Sequence, residues 1–341
     1  MSDSTIRPLR WALIGCGSIG SRHAQWAIST PDVEVRAFCD VNADAASRFC
    51  EEYQGGYHTT DPARVFSDPD VDIVTIATTN ATHADLALAA LNAKKHLYLE
   101  KPMAMTTADC HRIVDAMEAA GTKLMLNFSI RFSGAARVIK DRLQPPKVSH
   151  VQCMMKPDDI TRWRWDPHIG GGMLYDVGIH MVDLLCWMHN SSPVEVFATG
   201  GQVTHPGELA QHVIDTAAAT IRFANDSVAT LLMSDAGSNT LLSKWFFQFF
   251  DGSQTAVLHE HFSKVTFTGP DSATGELNSE TLTPPPIDRL PLLVDAIRND
   301  TEPYVPAQTG ILSTLIIEKI IASIHSGQPQ EVRESEWKMD G

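Results

Sequence analysis

Short apolar runs and helix-length amphipathic stretches alternate through the first 127 residues of the chain. Residues 11–14, 33–39, 71–78, 96–99 and 123–128 read as strands, with β-branched side chains concentrated in 71–78. Residues 21–29, 43–53, 82–92 and 107–120 read as helices, the last closed by Gly121. Strands that alternate with helices of this length pair in parallel through right-handed crossovers, so the pattern predicts a doubly wound α/β sheet.

The texture changes after residue 128. Residues 148–156, 194–203, 212–223, 227–234, 245–251, 255–259 and 264–268 are strand-like and separated by turn residues. With no helix between most of them, they predict one large, mainly antiparallel sheet. A helix over 173–189 interrupts the series, and helices over 290–299 and 310–326 close the chain after the Pro-rich connector 283–286. The expected organisation is an α/β domain over 1–127 and an α+β domain over 128–341, with the C-terminal helix packing back on the first.

Composition narrows the partners. A net charge of −14 disfavours nucleic acid and anionic membrane surfaces. Residues 1–10 lack the apolar core of a signal peptide, and no uninterrupted run of about 18 apolar residues marks a membrane span. Six cysteines without a C-x-x-C pair, mostly inside apolar segments, are expected to be buried thiols of a cytoplasmic protein.

The candidate chemistry begins at Gly15-Cys16-Gly17-Ser18-Ile19-Gly20, a G-x-G-x-x-G loop between a strand and a helix. The first glycine permits the turn, the second admits a pyrophosphate to the backbone, and the third lets helix and strand pack closely. The phosphates then meet the N–H groups that open the helix, around Ser18 and Ile19. Asp40 ends the second strand 20 residues after Gly20, where a carboxylate bonds the adenine ribose 2′-hydroxyl. The reading is a Rossmann domain for NAD. Asp40 repels a 2′-phosphate and disfavours NADP, while Arg22 and Arg48 leave dual use open.

Glu100-Lys101-Pro102 follows the strand at 96–99, on the edge where open α/β sheets bind ligands. A lysine beside bound cofactor is suited to proton transfer. Further on, Asp176, His180 and Asp183 stand at i, i+4 and i+7 behind the glycine run 170–172, on one face of the helix expected there. A histidine beside carboxylates serves general acid and base chemistry near neutral pH. The same spacing fits a structural hydrogen-bonded cluster, or two ligands of a metal. No third or fourth ligand with telling spacing accompanies them, His259 and His261 being far away in sequence, so no metal is assigned.

Together these motifs resemble the Gfo/Idh/MocA family of oxidoreductases, across nearly the whole chain. The resemblance rests on the glycine loop with Asp40, the turn Thr78-Thr79-Asn80-Ala81-Thr82-His83, Glu100-Lys101-Pro102, and Gly171-Gly172 through Asp176, Gly178, His180 and Asp183. It implies that Lys101, Asp176 and His180 are catalytic and face the nicotinamide. It further implies that Thr78, Asn80, His83, Glu100 and the pair Trp163-Arg164 approach the cofactor; simple packing of a loop is the other reading of Trp163. An open-faced C-terminal sheet that joins subunits into homodimers or homotetramers is implied as well. The apolar run 245–250 fits such an interface or the core. Lys156 and Trp165 are candidates for hydroxyl binding and sugar stacking. The expected activity is hydride transfer between nicotinamide and a secondary alcohol or ketone of a sugar or cyclitol. An NAD-dependent glycosidase with a transient redox cycle and a non-catalytic NAD sensor are the rival readings.

Overall fold

A computed structural model describes residues 7–210, 213–237, 244–269, 275–278 and 286–339. Residues 1–6, 212 and 283–285, on which parts of the expectations above rest, lie outside the described residues. The chain divides into two compact units. The first runs to Ala104 and adds Ala108–Asn127 and Asp288–Gly310. Residues 288–310, assigned from sequence to the second domain, thus cluster with the first, because Arg289 bonds Asn127 and Leu126 N–H donates to Val305 O.

The first unit is a Rossmann-like α/β layer. Its elements are β1 (Leu9–Ile14), α1 (Ser18–Ser29), β2 (Val33–Cys39), α2 (Ala43–Glu52), β3 (Tyr57–Thr59), α3 (Pro62–Ser67), β4 (Ile73–Ile76), α4 (His83–Asn92), β5 (His96–Leu99), α5 (Thr107–Ala120) and β6 (Leu124–Leu126). The six strands lie in the order β3-β2-β1-β4-β5-β6, all parallel. Strands covered on both faces need unbroken apolar runs, and Trp11, Leu13, Phe38, Ile73, Ile76 and Leu97 are fully buried. Strand order reverses between β1 and β4, which opens a crevice at their carboxyl ends. β3 and α3 are too short and too polar to show in the periodicity.

The second unit is built on α6 (Gly134–Arg142), β7 (Val148–Met154), α7 (Ile179–His189), β8 (Pro193–Gly201), β9 (Thr216–Phe223), β10 (Val228–Ser234), β11 (Trp245–Phe250), β12 (Thr255–His259), β13 (Lys264–Thr268) and β14 (Gly275–Asn278). After α8 (Arg289–Asn299) the chain continues into α9 (Gln308–Ser326) and β15 (Gln330–Glu331). The nine-stranded sheet runs β14-β13-β12-β11-β7-β10-β9-β8-β15 and is antiparallel except where β7 meets β10. One face is core, so the run 245–250 splits by its period of two. Trp245, Phe247 and Phe249 are buried, while Phe246, Gln248 and Phe250 are half-buried. α9 is long and apolar enough to cross a membrane by length and composition, yet Ile311, Ile316, Ile317 and Ile320 on it are fully buried in the protein.

Candidate active site

The glycine loop passes a test of fit for a dinucleotide. Gly15 has φ +102°, and a Cβ there would lie 2.3 Å from Ala77 O; a Cβ on Gly20 would lie 2.1 Å from Gly15 O. A Cβ on Gly17 would meet nothing within 4 Å. Gly15 and Gly20 are therefore demanded by the protein's own packing, and Gly17 faces open space at the start of α1, where a pyrophosphate would be cradled. Gly17, Ser18 and Ile19 are exposed around that space. At the tip of β2, Asp40 accepts from Cys16 N–H (2.7 Å) and Asn42 N–H (2.8 Å). These bonds fix the carboxylate beside the loop and leave lone pairs for ribose hydroxyls.

Thr78 borders the same loop, its methyl 3.1 Å from the Cβ position of Gly15. Asn80 is buried in the short turn Asn80–Thr82. His83 is fully buried, with Nδ1 donating to Pro102 O (2.6 Å) and Nε2 3.3 Å from Thr78 O. Burial lowers its pKa, against the bonds to the two carbonyl oxygens, which raise it. His83 thus ties the Thr78 turn to the Lys101-Pro102 loop, whose peptide bond is cis.

Glu100 and Lys101 are neighbours with opposite placements. Lys101 is half-exposed, whereas Glu100 turns inward and accepts from His23 Nε2 (2.8 Å) and from Asn127 Nδ2. Burial pushes the Glu100 carboxyl up, but the bond and charge of His23, with Lys101 and Asn127, outweigh it and hold the pKa at about 2. Asn127 Oδ1 in turn accepts from Tyr98 and Arg289, 2.9 Å each. Sequence reasoning missed His23, Asn127 and Arg289; only the network that joins distant segments reveals them.

In the second unit the predicted helix begins with a π-turn, Leu174–Gly178, before α7. The wider turn breaks the expected three-residue face. Asp176 and His180 are half-exposed, but Asp183 is fully buried, with its two oxygens accepting from Arg131 Nε (2.9 Å) and Nη2 (2.6 Å). Burial raises the Asp183 carboxyl, and Arg131 opposes that rise. His180 stands edge-on to Phe128, ring centroids 6.2 Å apart.

The turn Trp163–Trp165 presents its three residues differently. Trp163 is exposed. Arg164 lies between two carboxylates, with Nε 3.3 Å from Asp158 and Nη1 3.2 Å from Asp176. Trp165, expected to stack on a sugar, is only 2% exposed and packs edge-on against His205 at 5.7 Å. A Cβ on Gly170 would lie 2.3 Å from Arg164 Cα, and Gly172 N–H donates to Arg164 O (2.8 Å). The glycine run is therefore the surface on which Arg164 rests. Lys156 is exposed just beyond β7. No three His, Cys, Asp or Glu side chains group as a metal site among the described residues.

Comparisons with known proteins bear on the family and the fold. Residues 9–128 match a family described as "Oxidoreductase family, NAD-binding Rossmann fold", and residues 147–241 match the GFO/IDH/MocA C-terminal domain. The chain is 31% identical over 228 residues to 1,5-anhydro-D-fructose reductase of Ensifer adhaerens, covering 64% of this chain and 67% of that one. It is 27% identical over 225 residues to myo-inositol 2-dehydrogenase of Thermotoga maritima, covering 65% and 67%. In fold it is similar to a levoglucosan dehydrogenase solved with NADH and levoglucosan, at TM-score 0.86 and 21% identity over 96% of this chain and 100% of the other. Fold and site define an oxidoreductase with an NAD-binding Rossmann fold. The chain belongs to the Gfo/Idh/MocA family.

Proposed function

We propose that the protein is a dehydrogenase or reductase that moves a hydride between NAD and a secondary alcohol or ketone of a sugar, sugar derivative or cyclitol. NAD, when bound, supplies the hydride acceptor and donor. The peptide N–H groups of Gly17 to Ile19 hold its phosphates and Asp40 its adenine ribose, and Thr78, Asn80 and Trp163 border the rest. His180 takes the hydroxyl proton in oxidation and returns it in reduction. Lys101 stabilises the charge on the reacting oxygen. Asp176, itself held by Arg164, orients His180 or a substrate hydroxyl, and Lys156 binds a hydroxyl further out. Names of the relatives, a sugar reductase and an inositol dehydrogenase, support the substrate class.

One observation carries the assignment. Of the ionisable groups between residues 174 and 189, Asp183 and His189 are fully buried and bonded inside the protein, whereas Asp176 and His180 stay half-exposed. Two groups suited to proton transfer are thus presented from a rigid helix start. The same reading assigns the half-exposed sheet face, where Val148 is 51% and Phe197 44% exposed, to association of two or four copies. It places the protein in the cytoplasm, where its six free cysteines stay reduced.

A panel of sugars and inositols with NAD⁺, followed by NADH absorbance, tests the activity. Lys101→Ala is expected to lower kcat by about a thousandfold with NADH binding retained. Loss of NADH binding instead would make the lysine structural. Phenol release from an aryl glycoside, with no polyol turned over, would overturn the dehydrogenase reading.

A further inference from the structure

Beyond β7, the second unit contains a cavity of about 410 Å³ lined by Lys156, Arg162, Arg164, Lys244 and His261, with Asp158 the single carboxylate in the lining among the described residues. In a chain of net charge −14, such a concentration of cations is an exception. Arg162 is bonded to Asp158 at 3.0 and 3.2 Å, and Arg164 is shared between Asp158 and Asp176. Lys156 and Lys244 meet no carboxylate among the described residues; the Lys244 ammonium lies 5.4 Å from the Trp245 ring. Charged groups gathered in a concavity without counter-charge focus an attractive field for the opposite sign.

The wall on the far side is shaped by strain. Glu260, His261 and Phe262 have φ of +48°, +55° and +66°, three consecutive residues in the left-handed region that side chains rarely adopt. Phe262 holds the turn by stacking on Phe247 at 5.7 Å, and Ser263 Oγ donates to Glu260 O (2.6 Å). The result is that His261 reaches the cavity. The cavity also adjoins Asp176, because Arg164 bridges from the lining to that carboxylate at 3.2 Å.

We infer that this cavity is an anion subsite, and that the substrate is an acidic sugar or cyclitol whose carboxylate or phosphate is held by Lys244 together with Lys156, which then meets an anion oxygen in place of the hydroxyl assigned above. Arg164 then couples the occupied subsite to Asp176. The inference rests on the dehydrogenase reading for its substrate and on the second unit alone for its site. Both anions offer the oxygens that ammonium groups bind, and the volume accommodates a single sugar ring.

The test uses the NAD-loaded enzyme with matched neutral, carboxylate and phosphate forms of aldohexoses and inositols. The expected kcat/KM for one acidic form exceeds its neutral counterpart by about a hundredfold, and the better of the two acids identifies the anion. Lys244→Met is expected to lower that ratio about tenfold and Lys244→Arg to restore it, with melting and NADH binding measured in the same samples. A preference for the neutral forms that ignores Lys244 would overturn the subsite and leave the dehydrogenase intact. If nothing is turned over, calorimetry with D-glucuronate and inorganic phosphate decides. Binding lost in Lys244→Met keeps the subsite and discards the dehydrogenase reading, and absence of binding discards both.

Discussion

Two glycine-rich segments each precede a helix in this chain, and in one dimension they look like the same device. The structure separates them. In the first, Gly17 faces open space at the start of α1. In the second, every glycine of the run 170–172 faces protein: Arg164 Cα at 2.3 Å, Met105 Cε at 2.7 Å and Val213 Cγ1 at 2.8 Å from the respective Cβ positions. The first segment is a cradle for something the chain does not supply, and the second is a bearing surface for the chain itself. The helices behind them differ in the same way. α1 is anchored by His23 bonded to Glu100, and α7 by Asp183 bonded to Arg131. One carboxylate is pulled far down by its partners and the other is pushed up by burial.

The largest expected effect is at Gly170. A methyl group there collides with backbone, which cannot swing aside as a side chain end can. Gly170→Ala should cost about 3 kcal/mol or more in chemical denaturation. It should also loosen Arg164 from Asp176 and lower kcat. Unchanged stability together with weakened NADH binding would show that the second run is a ligand cradle too, and the contrast would collapse.

An intermediate effect separates the two anchors. The Glu100 carboxyl is held down at about 2 in the folded protein, against an ordinary glutamate value of 4.5. Its folded pKa is depressed, so its contribution is present above the unfolded pKa and is lost as pH falls toward the folded one. Between pH 5.5 and 3 the protein should lose about 2 kcal/mol through this group. Glu100→Gln should lose about 2 kcal/mol less than wild type over that window in acid titrations at fixed denaturant. Asp183, raised rather than lowered, gives no loss of this sign. An acid loss equal in wild type and Glu100→Gln would place the sensitivity elsewhere.

What the sequence made legible follows from the same contrast. The glycine loop, Asp40 and the alternation of strand and helix are local signals, written in backbone requirements that neighbouring residues satisfy. The fold class of both units was readable for that reason, although β3, α3 and the split of Trp245–Phe250 into buried and half-buried positions were not. Nor were the surroundings of the candidate catalytic residues. Asp183 was read onto one face with Asp176 because a period of 3.6 was assumed, and the π-turn Leu174–Gly178 shifts that phase. Its partner Arg131 lies 52 residues upstream. Trp163 and Trp165 are two apart in one turn, yet one is exposed and the other buried, a choice made by His205 and by packing that no local pattern encodes. Glu100 turns inward because His23 and Asn127, from two other segments, are waiting for it.

The smallest effect sharpens the comparison most. Gly17→Ala adds a methyl group that meets nothing in the protein within 4 Å, at a residue whose φ of −90° any side chain adopts. Its melting temperature should therefore match wild type within error. A pyrophosphate lying against the loop would feel the methyl group, and the Kd for NADH should rise about tenfold, or ~1.4 kcal/mol. The two readouts must diverge: stability answers to the protein's own packing and affinity to the missing phosphates. If both stay unchanged, the phosphates lie elsewhere. If both fall together, Gly17 belongs with Gly170 as packing, and the open space at α1 is not the cradle.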